Sequence, residues 1–204
     1  MGLYSGAASY LRYQLAERAP DNIKELVLER IKANAFKEID PGTLTDKTMG
    51  WVSAENMASI FFDDLHFQKE PYLVFSLRID TRKVPAITMK AARLREEIKY
   101  KEDTGQERLS KKDKSMLKDE VWQSLLRKCL PTPVVYEVCW NLTSNIICFF
   151  STSKTAQDEF VTFFYRSFDI KLIPLVPYDL AEMALTKEHI NIDIKHLALN
   201  VNHG

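Results

Sequence analysis

The stretch from Arg82 to Lys128 limits what this chain can fold into, because it holds charge that the rest of the sequence lacks. It carries fourteen Lys and Arg against eight Asp and Glu, a net of +6. The chain as a whole has 28 residues of each sign and sums to zero, so everything outside the stretch nets −6. A neutral composition conceals a basic arm.

The arm reads as two helices. Pro85 suits a first helical turn, where its missing N–H is not needed. Ala86 to Asp103 is then rich in strong helix formers, with Leu94 and Ile98 four residues apart. Gly105 breaks the run. Ser110 is placed to cap a second helix, with Asp113 in the capping-box position. From there Leu117, Val121, Trp122, Leu125 and Leu126 read as one apolar face. The expectation is a helical hairpin, apolar near its base and strongly charged at its turn. So many cations in one hairpin of an otherwise acidic chain favour a polyanionic partner, nucleic acid above all.

The flanks carry the core. Ser9 to Leu15 alternates as a strand. Pro20 and Asp21 open a helix over Asn22 to Ala33, with Ile23, Leu26, Val27, Arg30 and Ile31 on one side. Pro41-Gly42 is a turn, Met49 to Val52 a short strand or turn, and Tyr72 to Asp80 a clear strand. After the arm come a strand from Val134 to Trp140, a turn over Asn141 to Asn145, and a strand from Ile146 to Ser151. A helix capped by Ser153 then runs to Phe168 with Phe160, Phe163 and Phe164 inward, and a strand from Ile170 to Ile173 is closed by Pro174. Thr186 to Gly204 continues as a frayed strand through Ile190, Ile192 and Ile194. The fold class is α+β, with two small, mostly antiparallel sheet-and-helix units flanking a protruding basic helical hairpin. The expected divisions are an N-terminal unit over residues 1–81, the arm over 82–130, a second unit over 131–180 and a tail over 181–204.

Several kinds of chemistry find little support. The 46% hydrophobic content suits a soluble protein, and no apolar run approaches the roughly 20 residues of a membrane span. The first ten residues lack the pattern of a signal peptide, which points to the cytoplasm. Neither a P-loop nor a dinucleotide fingerprint occurs among the six glycines, so no nucleotide cofactor is expected. Cys129, Cys139 and Cys148 form an odd set without a Cys-x-x-Cys pair, read as buried, reduced thiols rather than a disulfide frame or a zinc site. His189, His196 and His203 repeat every seven residues, too far apart along a helix to share one ion. A metal-dependent nuclease would gather carboxylates. The candidates are Asp179 with Asp193-Ile194-Lys195, the pair Asp63-Asp64, and Asp169-Ile170-Lys171, all weak enough that no catalytic or metal residue is assigned. Asn141-Leu142-Thr143 matches a glycosylation acceptor by chance.

An ordered set of segments resembles the RdgC family of recombination-associated DNA-binding proteins. The set comprises Met49-Gly50-Trp51-Val52, Leu109-Ser110-Lys111-Lys112-Asp113-Lys114, Leu117-Lys118-Asp119-Glu120-Val121, Ser124-Leu125-Leu126, and Ile173-Pro174-Leu175-Val176-Pro177, in matching order and spacing between Tyr4 and Tyr178. The resemblance implies sequence-independent binding to double-stranded DNA, a ring-shaped homodimer with DNA passing through a positively lined hole, a place on the nucleoid, and competition with the RecA recombinase for DNA. It also brings the alternative label of exonuclease. Family members typically extend further at the C-terminus, in a part that helps to close the ring, so an open clamp or another dimer is expected here. Where the family tends to follow Leu-Leu with Pro-Arg-Ala-Phe, this chain has Arg127-Lys128-Cys129-Leu130, and Leu130 stands at the position that the family associates with the dimer contact.

The expected mechanism uses Lys99, Lys101, Arg108, Lys111, Lys112, Lys114 and Lys118 on phosphate oxygens of the DNA backbone, extended towards the body by Arg93, Arg95, Arg127 and Lys128. Glu96, Glu97, Glu102, Glu107, Asp119 and Glu120 compete for about half of them as helical partners. Trp51 and Trp122 are expected in the core rather than stacked on bases. A scaffold that binds an acidic protein partner is the reading from a different class.

Overall fold

A computed structural model describes residues 8–17, 19–20, 22–62 and 68–176. Its strands are β1 (Leu11–Leu15), β2 (Lys47–Ser53), β3 (Gln68–Lys69), β4 (Tyr72–Thr81), β5 (Thr132–Asn141), β6 (Ile146–Phe149) and β7 (Leu172–Leu175). Its helices are α1 (Ile23–Ala33), α2 (Ala86–Thr104), α3 (Lys111–Lys128) and α4 (Lys154–Phe168). The class is α+β, as expected.

The strands form one sheet in the order β2-β4-β5-β6-β1-β7, with β3 paired to β4. β5 and β6, from the second half of the sequence, thus stand between β4 and β1 from the first. Sequence order does not reveal this interleaving. β1 runs antiparallel to β6 and β7, and β5 antiparallel to β6. β4 has neighbours on both sides and is buried without interruption from Leu73 to Leu77, where simple alternation would leave every second residue exposed. The strand expected over Ile170 to Ile173 lies two residues later, and Pro174 sits inside it instead of closing it. β7 is an edge strand, so Pro174 removes no ladder donor that a further strand would need.

By their contacts the described residues divide into two compact units, those within 8–35, 51–77 and 136–176 in the first, and 36–50 and 78–135 in the second. The first unit holds an aromatic core. Ser153 caps α4 by accepting from the Ala156 amide, and spacing along the helix turns Phe160, Phe163, Phe164 and Phe168 inward. Trp51 meets Phe75 edge-on, with ring centroids 5.1 Å apart, and donates through Nε1 to the buried Ser167 hydroxyl at 3.0 Å. Phe149 stacks on Phe160 at 4.2 Å. Val138, Trp140 and Ile147 complete this layer from β5 and β6, and Ile23, Val27 and Ile31 of α1 are buried as their spacing predicts. The β5–β6 turn is held by Asn141, whose Oδ1 accepts from the Thr143 and Ser144 amides.

The second unit is tied by arginines rather than rings. Arg82 is only 4% exposed and donates to the carbonyls of Asp40 and Thr43 at 3.0 and 3.2 Å. Arg78 pairs with Asp80 through two hydrogen bonds and lies over the Phe36 ring. The Pro41-Gly42 turn closes with the Thr43 amide donating to the Asp40 carbonyl. α2 and α3 belong to this unit and contact each other.

Candidate nucleic-acid interface

The turn between α2 and α3 is well specified. α2 ends at Gly105, whose φ of +66° lies in the left-handed region that glycine enters without strain. α3 begins with a complete capping box: the Asp113 amide donates to Ser110 Oγ at 3.2 Å, while the Ser110 amide and hydroxyl both donate to Asp113 Oδ2. The Ser110 hydroxyl holds the Asp113 carboxyl below its ordinary range, aided by the nearby Lys112 charge.

Around this fixed turn the expected phosphate ligands stand in solvent. Lys99, Lys101, Arg108, Lys111, Lys112, Lys114 and Lys118 are all exposed, as are Arg95, Arg127 and Lys128. Arg93 is partly buried and pairs with Glu97 at 3.2 Å. Among the described residues that is the only ion pair within α2 and α3, so the neighbouring acids hold far fewer of these cations than one in two. Lys111, Lys114 and Lys118 follow one another at i, i+3 and i+7, forming a row along α3. Lys111, Lys112 and Lys114 occupy the first turn of α3, where the helix dipole already supplies positive potential. That arrangement disfavours the free helix and favours a bound anion. Arg95 and Lys128 differ from the rest. They line a groove of about 410 Å³ between the helices together with Glu96 and Glu120, so their charge is locally offset.

Three residues depart from the sequence reading. Arg82, counted in the basic stretch, spends its guanidinium on backbone carbonyls inside the second unit. Trp122 is not core. Leu117, Val121 and Leu126 are buried, but Trp122 is 38% exposed, because it follows Val121 by one residue and so stands about 100° further round the helix. It continues the row of Lys111, Lys114 and Lys118 four residues on, whereas Trp51 and Trp140 are fully buried. Leu94 and Ile98, whose spacing helped to define α2, also face solvent. α2 buries none of its side chains, and Ile87, Leu94 and Ile98 form an exposed apolar stripe at i, i+7 and i+11, on the side away from the groove. That spacing is visible in the sequence, but periodicity alone does not distinguish a core face from an unpartnered one. Leu130, just beyond α3, is 86% exposed.

The nuclease candidates Asp63-Asp64, Asp179, Asp193 and Lys195 lie outside the described residues, as do His189, His196, His203 and the strand expected beyond Thr186. Among the described residues no three His, Cys, Asp or Glu gather as a metal site, and no helix is long and apolar enough to cross a membrane. A family model described as "Putative exonuclease, RdgC" matches residues 10–187. The chain belongs to the RdgC family. That membership covers both units and the whole α2–α3 pair, and it carries a recombination-associated DNA-binding role. No curated protein matches the chain.

Proposed function

We propose that this RdgC-family chain binds double-stranded DNA without regard to base sequence, as a dimeric clamp, and so modulates recombination on the nucleoid. The observation that carries this reading is the set of exposed cations on α2 and α3, nearly all without an acidic partner. Phosphate oxygens satisfy such a set and base edges are not needed, which makes affinity insensitive to sequence and steeply dependent on salt. The exposed stripe of Ile87, Leu94 and Ile98 on α2, and the exposed Leu130 just beyond α3, supply apolar area that a second copy would bury. On this reading the chain is no enzyme, and it limits RecA by occupying duplex rather than by cutting it.

The test uses unlabelled duplexes of unrelated sequence competing for the protein against one fluorescent duplex. Equal competition within about twofold supports the reading. Strong preference for one sequence, or loss of full-length duplex in the presence of Mg²⁺, rejects it. Binding to acidic polypeptide but to no duplex would favour the protein-scaffold alternative.

A further inference from the structure

We propose that Cys139 and Cys148 are a thiol modification site, closing a reversible cross-strand disulfide between β5 and β6 by exchange with a small-molecule disulfide.

The two residues are register partners on adjacent antiparallel strands, and both are free and partly buried. Two places along the ladder the Phe150 amide donates to the Glu137 carbonyl, so the alternation of an antiparallel pair makes Cys139 and Cys148 a hydrogen-bonded pair as well. Such pairs hold their Cα atoms about 5.5 Å apart, inside the range of roughly 4.4 to 6.8 Å that a disulfide spans. In a hydrogen-bonded pair the Cβ atoms stand near the wide end of the range of about 4.5 to 5.5 Å, so closure draws them together by roughly 1 to 2 Å. Neither thiol belongs to the aromatic core. Val138, Trp140, Ile147 and Phe149 point to that side, and the cysteines alternate to the opposite face of the sheet.

Arg12 is the register partner of Cys148 on β1, and its guanidinium lies over the Tyr10 ring. Burial raises both thiols, Cys139 to about 11 with the Cys148 charge adding to it, but Arg12 pulls Cys148 back down. Cys148 is therefore the attacking sulfur. Its thiolate displaces one thiolate from the small disulfide, giving a mixed disulfide. Cys139 then loses its proton and attacks the Cys148 sulfur, expelling the second thiolate. Two protein thiols are oxidised, one small disulfide is reduced to two thiols, and the two protons pass through solvent to them.

The experiment is thiol counting on the folded chain in oxidised glutathione, followed by chymotryptic digestion and mass spectrometry, since cleavage after Trp140 separates the two cysteines. Accessible and buried thiols together fall from three to one, and the digest contains a reducible 139–148 link. Cys139→Ser and Cys148→Ser each abolish the link. A count that stays at three, a reaction that stops at the mixed disulfide, or a link that contains Cys129 overturns the proposal.

Discussion

Two helices of similar length have opposite fates in this molecule. α4, 15 residues long, buries Ala156, Phe160, Phe163, Phe164, Ser167 and Phe168, while α2, 19 residues long, buries none of its side chains. α4 persists because tertiary packing rewards its apolar face. α2 persists through a composition rich in Ala, Leu, Glu, Lys and Arg and through its contact with α3. The contrast separates what holds this protein together from what it offers to a partner. The first unit is bound by rings, whereas α2 of the second unit carries little that stability alone requires.

The comparison breaks most decisively at Phe160. Phe160→Ala removes a ring stacked on Phe149, and a loss of about 3 to 5 kcal/mol is expected in denaturant unfolding. Ile98→Ala on α2 should cost under about 0.5 kcal/mol in the same measurement, because no core atoms lose a neighbour. Comparable losses at the two sites would abolish the distinction.

A second prediction concerns assembly. Replacing Leu94 and Ile98 by Asp places two charges in the exposed stripe, and if the proposed dimer is built on that stripe, sedimentation equilibrium should show self-association weakened at least tenfold while the thermal transition hardly moves. An unchanged dimer would assign the stripe to no self-contact.

Tryptophan fluorescence sharpens the contrast further. With Trp51 and Trp140 fully buried, Trp122 is the solvent-facing reporter among the chain's three tryptophans. Adding duplex should change emission, and Trp122→Phe should remove most of that change while leaving stability within about 1 kcal/mol.

The smallest effect lies at the turn. Ser110→Ala removes the cap of α3 and should cost about 1 kcal/mol. The Asp113 carboxyl titrates below its ordinary value, so its contribution is complete above that value and is lost as pH falls through the depressed one. Ser110→Ala should therefore flatten the acid side of the stability profile measured by thermal unfolding.

Much of this was legible from residue spacing. The helix bounds around Gly105 and Ser110, the inward phenylalanines of α4 and the β5–β6 turn all follow from local rules of capping, periodicity and turn chemistry. The interleaved strand order was not legible, because pairing between β4 and β5 or β1 and β6 depends on residues far apart in sequence. Pro174 reads as a stop unless the strand is known to lie at an edge. Trp122, Leu94 and Ile98 fit an apolar pattern, yet exposure is decided by what packs against a helix, which the pattern does not contain. In the candidate site, sequence charge located the region, but only the structure distinguishes Arg82, spent on carbonyls, from the lysines left in solvent.

The central claim is that these lysines bind phosphate. Its most direct test is the salt dependence of affinity for a short duplex, comparing the wild type with Lys111→Ala, Lys112→Ala and Lys114→Ala combined. Each phosphate contact contributes about 0.9 to the log–log slope, so the triple variant should bind more weakly and lose about 2 to 3 from the slope, with unfolding unchanged. An identical slope in both proteins would contradict the account and remove the start of α3 from the interface.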